Sequence, residues 1–214
     1  MIIPKLHYIT QGNSPKEVLE NIQKACASGA ELVQLRFRNV SDKKLLKLAT
    51  EAREITAHFQ TRLLITDHYK IAKEVKADGV HIEKIDICPT IARKHLYTWQ
   101  MIGGTANTLP TCETLLTKEV DYIGLGPFRF TTTKDSLPPV LGLDGYAEII
   151  KALQTETPII GVGGITTEDV SDILETGISG IAVSGEITRN FNTIKTFNQL
   201  LNASSTEEQR YTFK

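Results

Sequence analysis

Cysteine is scarce: Cys26, Cys88 and Cys112 are odd in number, far apart and without a CxxC pair. That pattern excludes a disulfide framework and a thiolate metal knuckle, and it fits small, partly buried side chains in a reducing compartment. Excess charge is lacking too. Lys and Arg number 24 against 25 Asp and Glu, so no chain-wide field favours nucleic acid or an anionic membrane surface. No apolar run reaches membrane-spanning length. Met1 to Thr10 carries a single Lys and no long apolar region, unlike a secretory signal, so a cytoplasmic location is expected. Histidines do not cluster, which argues against zinc.

What is present is core material, 41% of the chain being hydrophobic, arranged in a repeating order. Short β-rich runs occur at Leu6–Ile9, Leu32–Phe37, Leu63–Thr66, Gly79–Ile82, Met101–Gly103, Tyr122–Leu125, Pro158–Val162 and Gly180–Val183. Most are continuously apolar, as parallel strands covered on both faces should be. Helix-length segments separate them. Pro15 to Ser28 follows the cap signal Asn13-Ser14, and Ser41 to Phe59 opens on a Ser cap. Shorter ones are expected at Tyr69–Val75, Pro89–His95 and Cys112–Lys118, then at Asp144–Leu153, Thr167–Thr176 and Thr193–Leu201. The turns Ser28-Gly29-Ala30, Ala77-Asp78-Gly79 and Thr176-Gly177-Ile178 suit glycine-capped helix ends leading into strands. This alternation predicts an α/β fold, a single-domain (β/α)8 TIM barrel over residues 1–203, with a polar C-terminal tail at 204–214. A doubly wound open sheet is the alternative, but the first strand-to-helix turn, Thr10-Gln11-Gly12-Asn13, lacks a dinucleotide glycine fingerprint.

A barrel of this kind builds its site at the C-terminal ends of the strands. The second strand ends Gln34-Leu35-Arg36-Phe37-Arg38, and alternation turns Gln34, Arg36 and Arg38 to one side. Two guanidiniums together call for an anion: phosphate oxygens, or a Glu or Asp from a neighbouring strand. Asp67 closes the third strand and Asp86 lies just past the fourth, a placement suited to Mg2+ held between carboxylates and a polyphosphate. Taken alone, Asp67 is better read as the cap of the helix that starts near Tyr69, and His81 reads as a structural or barrel-interior residue. Gly163-Gly164 after the seventh strand and Ser184-Gly185 after the eighth match the recurrent backbone phosphate site of this fold. Between the arginine–aspartate region and these glycine turns in sequence order, the sixth strand runs into Gly124-Leu125-Gly126-Pro127-Phe128-Arg129-Phe130-Thr131-Thr132-Thr133-Lys134, either a surface loop or a ligand loop of hydroxyls and an ammonium. One anion region for a metal-chelated diphosphate and one for a monophosphate suggest group transfer with pyrophosphate leaving.

The chain resembles the thiamine phosphate synthase family from Leu6 to Ile187. The matching elements are Gln34-x-Arg36, Asp67, Ala77-Asp78-Gly79-Val80-His81, Asp86, Asp121-Tyr122-Ile123-Gly124-x-Gly126-Pro127, Thr131-x-Thr133-Lys134 and Gly163-Gly164-Ile165. The resemblance implies a transferase that joins 4-amino-5-hydroxymethyl-2-methylpyrimidine diphosphate to thiazole phosphate, giving thiamine phosphate and pyrophosphate. It implies that Gln34, Arg36, Arg38, Thr66, Thr105 and Lys134 bind the pyrimidine diphosphate, with Arg36, Arg38 and Lys134 catalytic. Asp67 and Asp86 would bind Mg2+, and Thr131, Thr132, Thr133, Gly164, Ser184 and Gly185 would bind the thiazole phosphate. The implied mechanism is dissociative, with C–O cleavage before attack by the thiazole nitrogen.

Several positions depart from the family pattern. Arg38 stands for Lys, Thr66 for Asn, Glu83-Lys84 for Gly-Gln and Asn107 for His. A related thiazole tautomerase places a His where this chain has Pro127, which cannot move a proton, and lacks the Thr-x-Thr-Lys run. A non-catalytic paralogue that holds a phosphorylated thiazole is the other alternative. The expected partners are small phosphorylated substrates rather than nucleic acid or membrane, and general frequency favours a homodimer.

Overall fold

The computed structural model describes residues 2–84, 86–130 and 139–211. Eight parallel strands close into a barrel in sequence order. They are β1 (Leu6–Ile9), β2 (Leu32–Leu35), β3 (Arg62–Thr66), β4 (Gly79–Ile82), β5 (Met101–Ala106), β6 (Tyr122–Leu125), β7 (Ile159–Val162) and β8 (Gly180–Val183). β8 returns to pair with β1, Leu6 against Ile181, so no edge remains. The helices are α1 (Pro15–Ala27), α2 (Asp42–His58), α3 (Tyr69–Glu74), α4 (Pro89–His95), α5 (Leu109–Thr117), α6 (Gly142–Leu153), α7 (Val170–Glu175), α8 (Gly185–Arg189) and α9 (Thr193–Tyr211).

Strand alternation sorts the apolar residues into two layers. Ile9, Leu32, Leu64, Met101, Tyr122, Ile160 and Ala182 fill the barrel interior. Their sequence neighbours Tyr8, Val33, Ile65, Ile102, Ile123 and Ile181 face outward and pack with the helices. On the inward face the apolar residues give way to His7, Gln34, Thr66 and His81, all buried. The continuous apolar runs of the sequence are therefore two faces read together.

The cap signal before α1 acts as expected, whereas Ser41 stands at the N-cap of α2 without a side-chain cap bond. Ser14 caps α1 by accepting from Glu17 N at 3.2 Å, and Asn13 N donates to the Glu17 carboxylate at 2.7 Å. Gly29 and Gly177 take φ +92° and +93° after α1 and α7. The turn after α3 works differently: Lys76 is the left-handed residue, and Gly79 lies within β4, where a Cβ would meet the Met101 carbonyl oxygen at 2.1 Å. A 3-10 turn, Thr167–Asp169, precedes α7, and the short α8 was not anticipated. α9 continues past Leu201 to Tyr211. Among the described residues no helix is long and apolar enough to cross a membrane.

Candidate active site

The C-terminal mouth of the barrel opens into a cavity of about 830 Å3, a size ordinary for small-molecule sites. Gln34, Arg36, His81, Glu83 and Thr105 line one part of it, and Gly163, Gly164, Ser184, Gly185 and Arg129 line another.

On the β2–β4 side the arginines are paired. Arg36 lies just beyond β2, its backbone N–H bonded to Thr10 Oγ1 at 3.0 Å. Its Nε is 3.4 Å from Glu83 Oε1, and Arg38 Nη2 is 2.5 Å from Glu83 Oε2. Glu83 and Arg36 side chains are buried (7% and 9% exposed), whereas Arg38 is half-exposed. Burial pulls the Arg36 guanidinium below its ordinary pKa, the Glu83 carboxylate offsets this, and Arg38 adds to the lowering. Of the two anions open to the arginine pair on sequence grounds, a protein carboxylate is present.

Asp67 does not cap α3. His68 occupies the N-cap without a side-chain bond, while Asp67 Oδ1 accepts from Glu83 N at 2.7 Å and Lys84 N at 3.1 Å. Its φ of +62° is a left-handed conformation that Asp tolerates better than most side chains. Asp67 thus fixes the loop after β4 and, through it, the aim of Glu83. Both of these bonds fall on Oδ1, and the carboxylate also favours the Arg36 charge. Asp86 is exposed on that loop.

Deeper in, His81 Nε2 lies 2.9 Å from Thr105 Oγ1, and His81 Nδ1 lies 2.8 Å from the Tyr122 hydroxyl. Burial pushes the Tyr122 pKa well above its ordinary value, with Glu83 and Asp121 adding to the rise, so the hydroxyl keeps its proton. With that proton donated to Nδ1, Nε2–H donates to Thr105, whose hydroxyl then keeps its own proton to donate at the cavity wall. Gln34 Nε2 donates to Thr66 Oγ1 at 2.9 Å, so Thr66 supports Gln34 inside the barrel. His7 sits below, its pKa lowered to about 3 by burial first and by repulsion from His81 second; its Nε2 donates to the Pro4 carbonyl at 3.0 Å.

The β6–β8 side is made of backbone. Phe128 N bonds Val162 O at 2.8 Å and Arg129 N bonds Gly163 O at 2.9 Å, zipping the two loops together. Gly163 and Gly164 have φ +106° and +70°. A Cβ on Gly163 would lie 2.7 Å from Pro127 Cβ, and one on Gly164 2.6 Å from Arg129 Cγ. Arg129 forks onto Asp169 at 3.0 and 2.7 Å and reaches the Gly164 carbonyl at 3.2 Å. Burial raises the Asp169 pKa, but hydrogen bonds from Thr166 and Arg129 outweigh it and hold the carboxyl below its usual range. Ser184 spends its hydroxyl on the Ile9 carbonyl at 2.8 Å and leads into α8 at Gly185.

The structure thus brings Gln34, Arg36, Arg38, Thr66 and Asp67 to one side of the mouth, with Thr105 deeper in. Gly164, Ser184 and Gly185 lie on the other side. Thr131, Thr132, Thr133 and Lys134 lie outside the described residues. Sequence reading missed the Arg129–Asp169 clamp, and it registered Glu83 only as an unusual residue.

The family model for thiamine monophosphate synthase matches residues 6–187. The chain belongs to the thiamine monophosphate synthase family. A thiamine-phosphate synthase of Flavobacterium johnsoniae is 42% identical over 187 residues, covering 86% of this chain and 88% of that one. One from Bacteroides thetaiotaomicron is 40% identical over 187 residues, covering 86% and 90%. The solved structure of a thiamine phosphate pyrophosphorylase from Pyrococcus furiosus matches with a TM-score of 0.77 at 25% identity, covering 92% of this chain and 96% of that one. Membership shows an enzyme acting on small molecules and implies a metal-dependent reaction. Among the described residues no three or more His, Cys, Asp or Glu side chains gather into a metal site.

Proposed function

We propose that the two sides of the cavity take the two substrates of thiamine phosphate synthesis, one each. The pyrimidine diphosphate binds at the β2–β4 side and the thiazole phosphate at the β6–β8 side, and the reaction joins them with release of pyrophosphate. The observation that carries this division is the contrast in polar groups: charged guanidiniums and carboxylates on one side, glycine backbone on the other, in one cavity.

Arg36 and Arg38, with Lys134 from the loop after β6, neutralise charge as it collects on the departing pyrophosphate; such stabilisation contributes several kcal/mol. The C–O bond to the diphosphate breaks with its electron pair on the leaving oxygen, giving a pyrimidine-methyl cation. The thiazole nitrogen lone pair then forms the C–N bond. No side-chain nucleophile takes part; the remaining work is proximity. The Thr105 hydroxyl, held by His81, and Gln34, held by Thr66, orient the pyrimidine end. Gly164, Ser184 and Gly185 seat the thiazole phosphate with Thr131, Thr132 and Thr133.

Asp67 and Asp86 offer hard carboxylate oxygens suited to Mg2+, and both described bonds to the Asp67 side chain fall on Oδ1. Bound Mg2+ supplies further charge neutralisation for the diphosphate. Pro127 lines the cavity and carries no exchangeable proton, which favours transfer over thiazole isomerisation.

Purified protein supplied with both substrates and Mg2+ is expected to release one pyrophosphate per thiamine phosphate formed. Isomerisation of the thiazole phosphate without pyrophosphate release would replace this reading with the tautomerase, and binding without either reaction would replace it with the non-catalytic paralogue.

A further inference from the structure

Glu83 has been given no part in the reaction, yet it sits where the reaction needs an anion. Its two carboxylate oxygens lie 3.4 Å from Arg36 Nε and 2.5 Å from Arg38 Nη2, an arrangement that reproduces two oxygens of a phosphate. The side chain lines the cavity and is buried, although it belongs to the loop after β4. That loop does not drift: Glu83 N is bonded to Asp67 Oδ1 at 2.7 Å and Lys84 N to the same oxygen at 3.1 Å. The carboxylate is therefore aimed at the guanidiniums by a residue assigned to the same subsite.

We propose that Glu83 is a resident anion of the diphosphate subsite, competing with the incoming diphosphate for Arg36 and Arg38 and displaced when it binds. This rests on the assignment of those arginines to the diphosphate. In the empty enzyme the carboxylate compensates the buried Arg36 charge, which would otherwise be costly to desolvate. On ligand entry the same carboxylate repels any anion approaching the arginines, because like charges a few ångströms apart disfavour each other. A ligand must bring enough negative charge to replace Glu83 on both guanidiniums. A diphosphate does so better than a monophosphate, so Glu83 also acts as a specificity filter that keeps the phosphate of the thiazole substrate, or free phosphate, from lodging on the wrong side.

The test is calorimetric binding of inorganic pyrophosphate and, separately, inorganic phosphate to the wild type, Glu83→Gln, Glu83→Gly, Arg36→Met and Arg38→Met proteins in Mg2+ buffer. Glu83→Gln is expected to bind pyrophosphate about tenfold more tightly and to gain proportionately more for phosphate, narrowing the preference between them. Its unliganded melting temperature should fall, and pyrophosphate should raise it by more than in the wild type. Glu83→Gly removes the side chain without leaving a buried amide and should show the same gain. Unchanged or weaker pyrophosphate binding in both Glu83 variants, with Arg38→Met still losing it, overturns the role of Glu83 alone. Undiminished binding by Arg38→Met and by Arg36→Met overturns the diphosphate assignment as well.

Discussion

On the β2–β4 side of the mouth the polar atoms belong to side chains: Arg36, Arg38, Glu83 and Asp67 form a charged set that compensates itself before any substrate arrives. On the β6–β8 side they belong largely to the backbone, with Gly163 and Gly164 in left-handed conformations and one arginine, Arg129, clamping the turn from behind. The first arrangement is sensitive to the sign and size of each side chain. The second tolerates many neighbours but not an added Cβ. A substrate with a leaving group needs charge that can respond as the bond breaks, whereas a substrate that is only held needs a rigid seat. The two constructions match those two tasks.

Substitutions should therefore separate the sides. The largest effect is expected for Asp67→Ala, which should lower Mg2+-dependent turnover by about 100-fold or more and leave thiazole phosphate affinity nearly intact by calorimetry. Equal loss on both sides would mean that Asp67 supports the whole mouth rather than the diphosphate side. Gly164→Ala comes next. A residue with φ +70° and a Cβ 2.6 Å from Arg129 should weaken thiazole phosphate binding about tenfold, in line with a strain of about 1–3 kcal/mol, without changing pyrophosphate affinity. A smaller effect is expected from Arg129→Ala. Its pair with Asp169 is half-exposed on the arginine side, so a rise in thiazole phosphate KM of about threefold to fivefold is expected, with kcat little changed.

The least effect on the site, and the one shared by both sides, concerns His7 in the barrel interior. Its folded pKa is about 3 against an ordinary 6.5. Between those values the unfolded chain binds a proton that the folded chain does not, so stability falls as pH drops from about 6.5 toward 3, by at most about 1.4 kcal/mol per pH unit. Urea unfolding of His7→Gln across that range should show a flatter decline than the wild type, with both ligand affinities shifted equally if at all.

The barrel was legible because each strand is a short apolar run followed by a helix. Alternation was read through Phe37, but β2 ends at Leu35; Arg36 and Arg38 lie past the strand and meet through their shared partner Glu83. Asp67 was legible as a candidate but not as a choice between cap and site, since its deciding partners, Glu83 N and Lys84 N, come from beyond the next strand. The role of Glu83 was hidden for the same reason: a carboxylate after β4 meets arginines after β2 only once β3 sets the spacing. Arg129 and Asp169 are 40 positions apart on loops whose contact depends on closure of the barrel, and the five-residue α8 is too short to leave a periodic signature. Thr131, Thr132, Thr133 and Lys134, read from the sequence as a ligand loop, lie outside the described residues.

The central claim is that the cavity holds two separate anion subsites. Titrating thiazole phosphate into the protein with and without saturating pyrophosphate and Mg2+ tests it most directly. Separate subsites predict that both ligands bind at once, one to one, with the thiazole phosphate affinity changed by less than about fivefold. Mutual exclusion of the two ligands would contradict the account.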